Sequence, residues 1–241
     1  MLNFNLMPGN RTPILKMTKI IGNPKTKNSE LIKLIEKTKI NYFYIENHGD
    51  FRDKILKEIK LNDDVLDIGK CMREKFSQIK SKTLETLDVN VFDDYPDIVF
   101  DLCSELDNSL KGKYDKIICI AILEHVYDPF LAVANLKRML KENGYVFGYV
   151  PFLYNYHAPD DLKFQDYFRF SRDGLSYLFK DFSEVELFPV RGQLTTSLNI
   201  LFRGRWKEYI EKFKINAFLD KFSSNKNNLK QCSGYNFILR K

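Results

Sequence analysis

The chemistry this chain could do rests on two histidines and a row of carboxylates. His157 lies in Tyr154-Asn155-Tyr156-His157-Ala158-Pro159-Asp160-Asp161, and an imidazole titrates near neutral pH, so it is the first candidate for a general base. Asp160 or Asp161 could orient it or replace it. His125, inside Leu123-Glu124-His125-Val126, is the second candidate, with packing beside a ligand or capping the next helix as its plainer role. Asp67, Asp88 and Asp101 each stand at the end of a short apolar run. One such Asp is ordinarily a turn or cap residue, but three in succession point to a shared ligand-binding edge. The loop Asp67-Ile68-Gly69-Lys70-Cys71-Met72-Arg73 holds a single glycine. A dinucleotide turn uses several for close approach to a pyrophosphate, so this is a poor dinucleotide site. Lys70 and Arg73 either reach a ligand's carboxylate or face solvent.

These residues need elements to hold them. Short apolar runs at 65–68, 83–87, 97–100 and 116–122 read as strands, the last nearly continuous, as in a central parallel strand covered on both faces. Asp128-Pro129 gives a helix cap followed by proline at the first helical position, and Phe130, Leu131, Val133, Leu136, Met139 and Leu140 form that helix's apolar stripe. Gly144 is expected to stop it, with a further strand at 145–150. Strands alternating with helices predict an α/β fold with a doubly wound, mostly parallel sheet of seven strands and helices on both faces. Ligands of such sheets bind beyond the carboxyl ends of the strands.

The segment Asp63-Asp64-Val65-Leu66-Asp67-Ile68-Gly69 resembles the first motif of class I S-adenosylmethionine-dependent methyltransferases. Thr83-Leu84-Glu85-Thr86-Leu87-Asp88 resembles their second strand, and the segment ending Val99-Phe100-Asp101-Leu102 their third. Leu123-Glu124-His125-Val126-Tyr127-Asp128-Pro129 is similar to a small-molecule subgroup that includes ubiquinone-pathway enzymes. The motifs run in family order over about 63–190. The resemblance implies S-adenosylmethionine as cofactor, S-adenosylhomocysteine as its product, and a cofactor site of Asp67, Ile68, Gly69, Lys70, Arg73, Asp88, Val89, Asp101, Leu102, Ile120 and Ala121. Asp88 would take both ribose hydroxyls, for a carboxylate can accept two neighbouring O–H bonds, and Asp101 the adenine amino group. A cofactor without phosphates fits a one-glycine loop. The chain departs from the family in lacking the second and third glycines.

The stretch Val150-Pro151-Phe152 through Asp166-Tyr167-Phe168-Arg169-Phe170-Ser171 resembles methyltransferases encoded with cell-surface polysaccharide synthesis, which implies O-methylation of a sugar or substituent of a capsule or lipopolysaccharide precursor. Tyr154, Tyr156 and Tyr167 could stack on a sugar or form the core of a lid. Arg169 either anchors an anionic group or pairs with Asp166.

The chain has 241 residues, 44% of them hydrophobic, and fits one structural domain. We expect an N-terminal arm and helices at 1–60, with Leu31, Ile32, Leu34 and Ile35 on one face and Asp50 capping a helix at 51–59, then a methyltransferase domain at 61–241 with a substrate lid near 151–172. A tail helix at 205–222, a mobile turn at 225–228 and a last strand at 235–239 complete it. The net charge of +6 is spread among acids rather than blocked, which argues against a nucleic-acid partner. No long apolar run suggests a membrane span, and the N-terminus lacks a secretory pattern. Cys71, Cys103, Cys119 and Cys232 show no metal spacing, so no metal is expected, and free thiols suit a bacterial cytoplasm. The expected partner is a small or saccharide-linked substrate, with a homodimer left open. A cofactor-free binding module on the same fold and an RNA methyltransferase are the alternatives.

Overall fold

In a computed structural model, residues 29–30, 32–33, 36–40, 48–158, 164–202 and 228–241 are described. Their strands are β1 (Lys39–Ile40), β2 (Asp64–Ile68), β3 (Thr83–Asp88), β4 (Ile98–Val99), β5 (Tyr114–Ile120), β6 (Leu140–Pro151), β7 (Glu184–Val190) and β8 (Gly234–Arg240). They form one sheet in the order β1-β7-β8-β6-β5-β2-β3-β4. β8 runs antiparallel to β6 and β7, and the other pairings are parallel. The expected doubly wound, mostly parallel sheet is present, and the two-residue edge strand β1 makes its strands eight. β7 escapes notice in the sequence because Pro189 interrupts its strand texture.

The helices are α1 (His48–Glu58), α2 (Pro129–Met139), α3 (Arg172–Leu178) and α4 (Gln193–Leu201). Alternate side chains of each strand face opposite sides of the sheet, so a central strand must be apolar on both. β5 obeys this: Ile117 and Cys119 join a core with Leu136 and Met139 of α2 and Leu175 of α3. Ile118 and Ile120 face the other way, toward Phe51 and Ile55 of α1. Asp128 caps α2 by accepting from the Leu131 amide at 3.0 Å, with Pro129 in the first turn, as expected.

Three boundaries differ from expectation. α1 starts at His48, so Asp50 lies inside it rather than capping it. α2 ends at Met139 and β6 begins at Leu140, before Gly144. There β6 shifts register against β5, and Asn143 takes the left-handed turn at φ 62°. Gly144 serves close packing instead: a Cβ there would come within 3.0 Å of the Lys141 carbonyl oxygen and 3.1 Å of that of Asp115. The tail helix at 205–222, the turn at 225–228 save its last residue, the arm at 1–28, and Leu31, Leu34 and Ile35 lie outside the described residues, and Asn228 opens a short 3-10 helix, Asn228–Gln231.

At the amino ends of the strands Lys141 bridges Asp64 and Asp115, at 2.7 Å each, and holds the Asp64 carboxyl down to about 2. The pairing ties β2, β5 and β6 together far from the crevice. In mid-sheet, Gly148 of β6 lets Phe237 of β8 cross it: a Cβ would lie 2.1 Å from the Phe237 ring and 2.4 Å from the Cys119 carbonyl oxygen. Overpacking of this kind costs about 1–3 kcal/mol or more. Gly148→Ala is therefore expected to lower the unfolding free energy by that amount, and the urea midpoint with it, or to abolish folding. An unchanged midpoint would mean the strands are not so closely spaced.

Candidate active site

The sheet's order reverses between β2 and β5, and the crevice at their carboxyl ends is where an open α/β sheet binds its ligand. Asp67, at the end of β2, is fully buried and accepts from the Cys71 amide at 3.0 Å and the Met72 amide at 3.1 Å. Burial pushes its carboxyl up to about 6, against the pull of those bonds. Its role is to fold the loop. Gly69 turns at φ 71°, and a Cβ there would lie 2.8 Å from Ile122 Cδ1 and 3.9 Å from Asp88 Oδ2, so the glycine keeps the loop's inner wall open. The next residues also carry strain: Lys70 at φ 46° and Arg73 at φ 52° are left-handed without being glycine.

Asp88 and Asp101 share a construction. Asp88 Oδ1 accepts from the Asn90 amide at 2.8 Å, and Asp101 Oδ1 from the Cys103 amide at 2.8 Å. Each second oxygen meets a tyrosine hydroxyl, Tyr95 at 3.1 Å from Asp88 and Tyr127 at 3.4 Å from Asp101. One oxygen thus makes the ordinary turn contact. The other retains a lone pair for a ligand hydroxyl or amine. Val89 follows, half-buried. Leu102 is core, its carbonyl held by the Asn135 amide at 2.9 Å. Ile120 is buried, and Ala121 bends the end of β5 at φ 58°, a left-handed conformation costing about 1–2 kcal/mol outside glycine. An open glycine wall and paired carboxylates beyond successive strands fit a nucleoside with a ribose diol and no phosphate.

Lys70 turns from the loop to Asp94, 2.6 Å away, above the Tyr95 ring. Arg73 is exposed. Asp160 and Asp161 lie outside the described residues.

The other half of the crevice centres on a residue the sequence reading passed over. Glu124, in the turn after β5, has no exposed surface, and neither carboxylate oxygen has a hydrogen-bond partner. Its Oε1 stands 3.5 Å from His157 Nε2 and 3.9 Å from His125 Nε2, and the two imidazoles meet edge to face with centroids 4.9 Å apart. Glu124 reads in sequence as one more acid; only Ile122, Leu123 and Val126 around it signal burial. The Glu124 carboxylate raises the His157 pKa above its ordinary value, with help from the Asn155 carbonyl and Asp166 and against burial.

Residues 154–157 and 165–169 pack around this cluster. The Glu124 carbonyl accepts from the Tyr167 amide at 2.8 Å and the Phe168 amide at 3.2 Å. Asp166, whose side chain is covered, accepts from the His157 amide at 3.0 Å and forms a two-pronged pair with Arg169. Of the two roles open to Arg169, the structure holds the ion pair. Tyr154, Tyr156 and Tyr167 are 43%, 66% and 51% exposed, so none of them is lid core.

A doubly wound sheet with carboxylates beyond successive strands and an open glycine turn defines a class. Residues 40–183 match the family model described as "Methyltransferase domain", and the chain belongs to that family. No curated protein matches the chain. Similar solved structures include phosphoethanolamine N-methyltransferase 2 of Haemonchus contortus, bound to phosphomonomethylethanolamine and S-adenosylhomocysteine, at 18% identity and TM-score 0.49, covering 83% of this chain and 54% of that one. Another is a SAM-dependent methyltransferase of Archaeoglobus fulgidus at 16% identity and TM-score 0.49, covering 80% and 92%. The chain spans about half the length of the worm enzyme. Among the described residues no helix is long and apolar enough to cross a membrane.

Two tests follow from the cofactor half. Asp88→Ala is expected to weaken S-adenosylhomocysteine binding at least about tenfold by calorimetry, or about 1.4 kcal/mol, with little change in the unliganded melt; unchanged affinity would remove Asp88 from the site. A carboxyl raised from 3.8 to about 6 favours its protonated form in the fold. Its contribution to stability is therefore greatest below the ordinary value and is lost as pH rises through about 6. Against Asp67→Asn, which does not titrate, the wild type should lose about 3 kcal/mol of relative stability over that window. A gap independent of pH would show that Asp67 does not titrate there.

Proposed function

We propose that the protein O-methylates a hydroxyl on a sugar, or on a sugar's substituent, in a cell-surface polysaccharide precursor. The observation that carries this reading is the buried Glu124 between His125 and His157 beneath an aromatic lid. S-adenosylmethionine supplies an electrophilic methyl group, and transfer is an in-line displacement that demands alignment. A hydroxyl acceptor, unlike a carboxylate or phosphate, must also lose a proton, and benefits from a base within hydrogen-bond reach. His157 remains the first candidate, with Glu124 beside it to stabilise the imidazolium, and His125 the second.

The remaining residues divide the work. Asp88 and Asp101 hold the cofactor's nucleoside, and Gly69 leaves room for the backbone to pass it. Asp166 and Arg169 hold the lid so that water is kept from the crevice. The exposed faces of Tyr154, Tyr156 and Tyr167 suit stacking against a sugar ring. The setting we propose is the cytoplasm, where such precursors are assembled, within one domain whose lid spans about 151–172.

The test is transfer of label from methyl-tritiated S-adenosylmethionine into sugar-nucleotide and glycan-precursor acceptors. A methyl ether is the expected product; label appearing only on an amine would overturn the reading. His157→Ala should keep its affinity for S-adenosylhomocysteine while turnover falls at least about 100-fold. Undiminished turnover would place the base elsewhere.

A further inference from the structure

The geometry points to a divalent transition-metal site formed by Glu124, His125 and His157. The chain has three histidines, and two of them converge on one buried carboxylate. One ligand atom from each of the three residues lies within 4.8 Å of the other two. Bonds of about 2.0–2.2 Å to one ion bring such atoms within reach after small side-chain rotations.

The hydrogen bonds around the cluster orient both imidazoles as metal ligands are oriented. His125 Nδ1 is 2.8 Å from the Gln165 carbonyl oxygen, and His157 Nδ1 is 3.1 Å from that of Asn155. A carbonyl oxygen only accepts, so each Nδ1 carries a hydrogen. The neutral imidazole then presents its Nε2 lone pair, and both Nε2 atoms face Glu124 Oε1, itself an acceptor. With both imidazoles neutral, three acceptors face one another with no donor among them, and both Glu124 oxygens lack hydrogen-bond partners. Either a proton on His157 Nε2 or a cation at the centre completes this arrangement. Metal-binding histidines typically donate their other ring N–H to a backbone carbonyl or carboxylate, which fixes tautomer and orientation. For His157 the carboxylate of Asp166 also lies 3.3 Å from Nδ1, and Asp166 is held in turn by Arg169.

Two imidazoles and a carboxylate suit the borderline ions Zn²⁺ and Fe²⁺, with the harder Mn²⁺ bound more weakly, and leave coordination positions open. The His157 side chain is 31% exposed, so the cluster is accessible beside Tyr154. If the acceptor is a hydroxyl, as proposed above, its oxygen could fill an open position, and coordination would lower its proton affinity in place of an imidazole base. Binding of the ion itself does not depend on that reading.

The test is titration of the chelator-treated full chain with Mn²⁺, followed by electron paramagnetic resonance, with Zn²⁺ as competitor. One Mn²⁺ per chain, displaced by Zn²⁺, is expected. His125→Ala and His157→Ala should each weaken binding at least about tenfold, and His48→Ala should not; melting curves check that each variant folds. Absence of stoichiometric binding, or binding that survives both cluster variants, would overturn the site. The first of these outcomes, with labelled methyl ether still formed, would leave the O-methylation reading standing on the imidazole base.

Discussion

A carboxylate with no exposed surface and no hydrogen bond costs several kcal/mol unless its surroundings compensate. Glu124 is such a group, at the end of the strand that every other part of the sheet is built around. Its surroundings follow from keeping it there. Ala121 takes a left-handed bend to carry the chain out of β5. The turn that follows exposes the Glu124 carbonyl to the Tyr167 and Phe168 amides, and His157 stands to one side of the carboxylate while His125 stands on the other. Asp166 pairs with Arg169 and holds the His157 amide. This is an arrangement whose stability is given up locally for function, and the rest of the fold supplies what it lacks.

The two halves of the crevice use carboxylates in opposite ways. Asp88 and Asp101 remain partly solvated, each with one oxygen committed to its own turn and the other left at the crevice wall. That suits recognition, where the ligand's hydroxyls and amines complete a shell already half filled. Glu124 is stripped of solvent and faces imidazoles, which suits proton or cation chemistry. Asp67 belongs to neither half. It is buried to hold two loop amides, and the loop's shape depends on it.

Much of the fold was legible in the sequence because its signals are local. The unbroken apolar run of β5 requires cover on both faces, and Asp128-Pro129 dictates where α2 begins. Gly144 misled because glycine serves helix ends and close packing alike, and only the register of β6 against β5 distinguishes them. The acids Asp67, Asp88 and Asp101 could be placed along one edge of the sheet because each closes a short apolar run, at or just beyond a strand's carboxyl end. The acceptor half could not, because it depends on contacts between residues distant in the chain. Glu124 carries no local sign of its burial beyond its neighbours, and nothing in the sequence says that His125 and His157 meet. Arg169 had two chemically sound roles, and the choice between them lay in where Asp166 folds.

In the reaction proposed above, cofactor and acceptor meet in one crevice, with the reacting methyl group directed at Glu124, His125 and His157. A crystal structure of the chain with S-adenosylhomocysteine is the decisive measurement. The ribose hydroxyls are expected on Asp88, the homocysteine passing Gly69, and the sulfur facing the His125–His157 pair. A sulfur turned away from that pair, or a ligand bound without contact to Asp88 and Gly69, would contradict it.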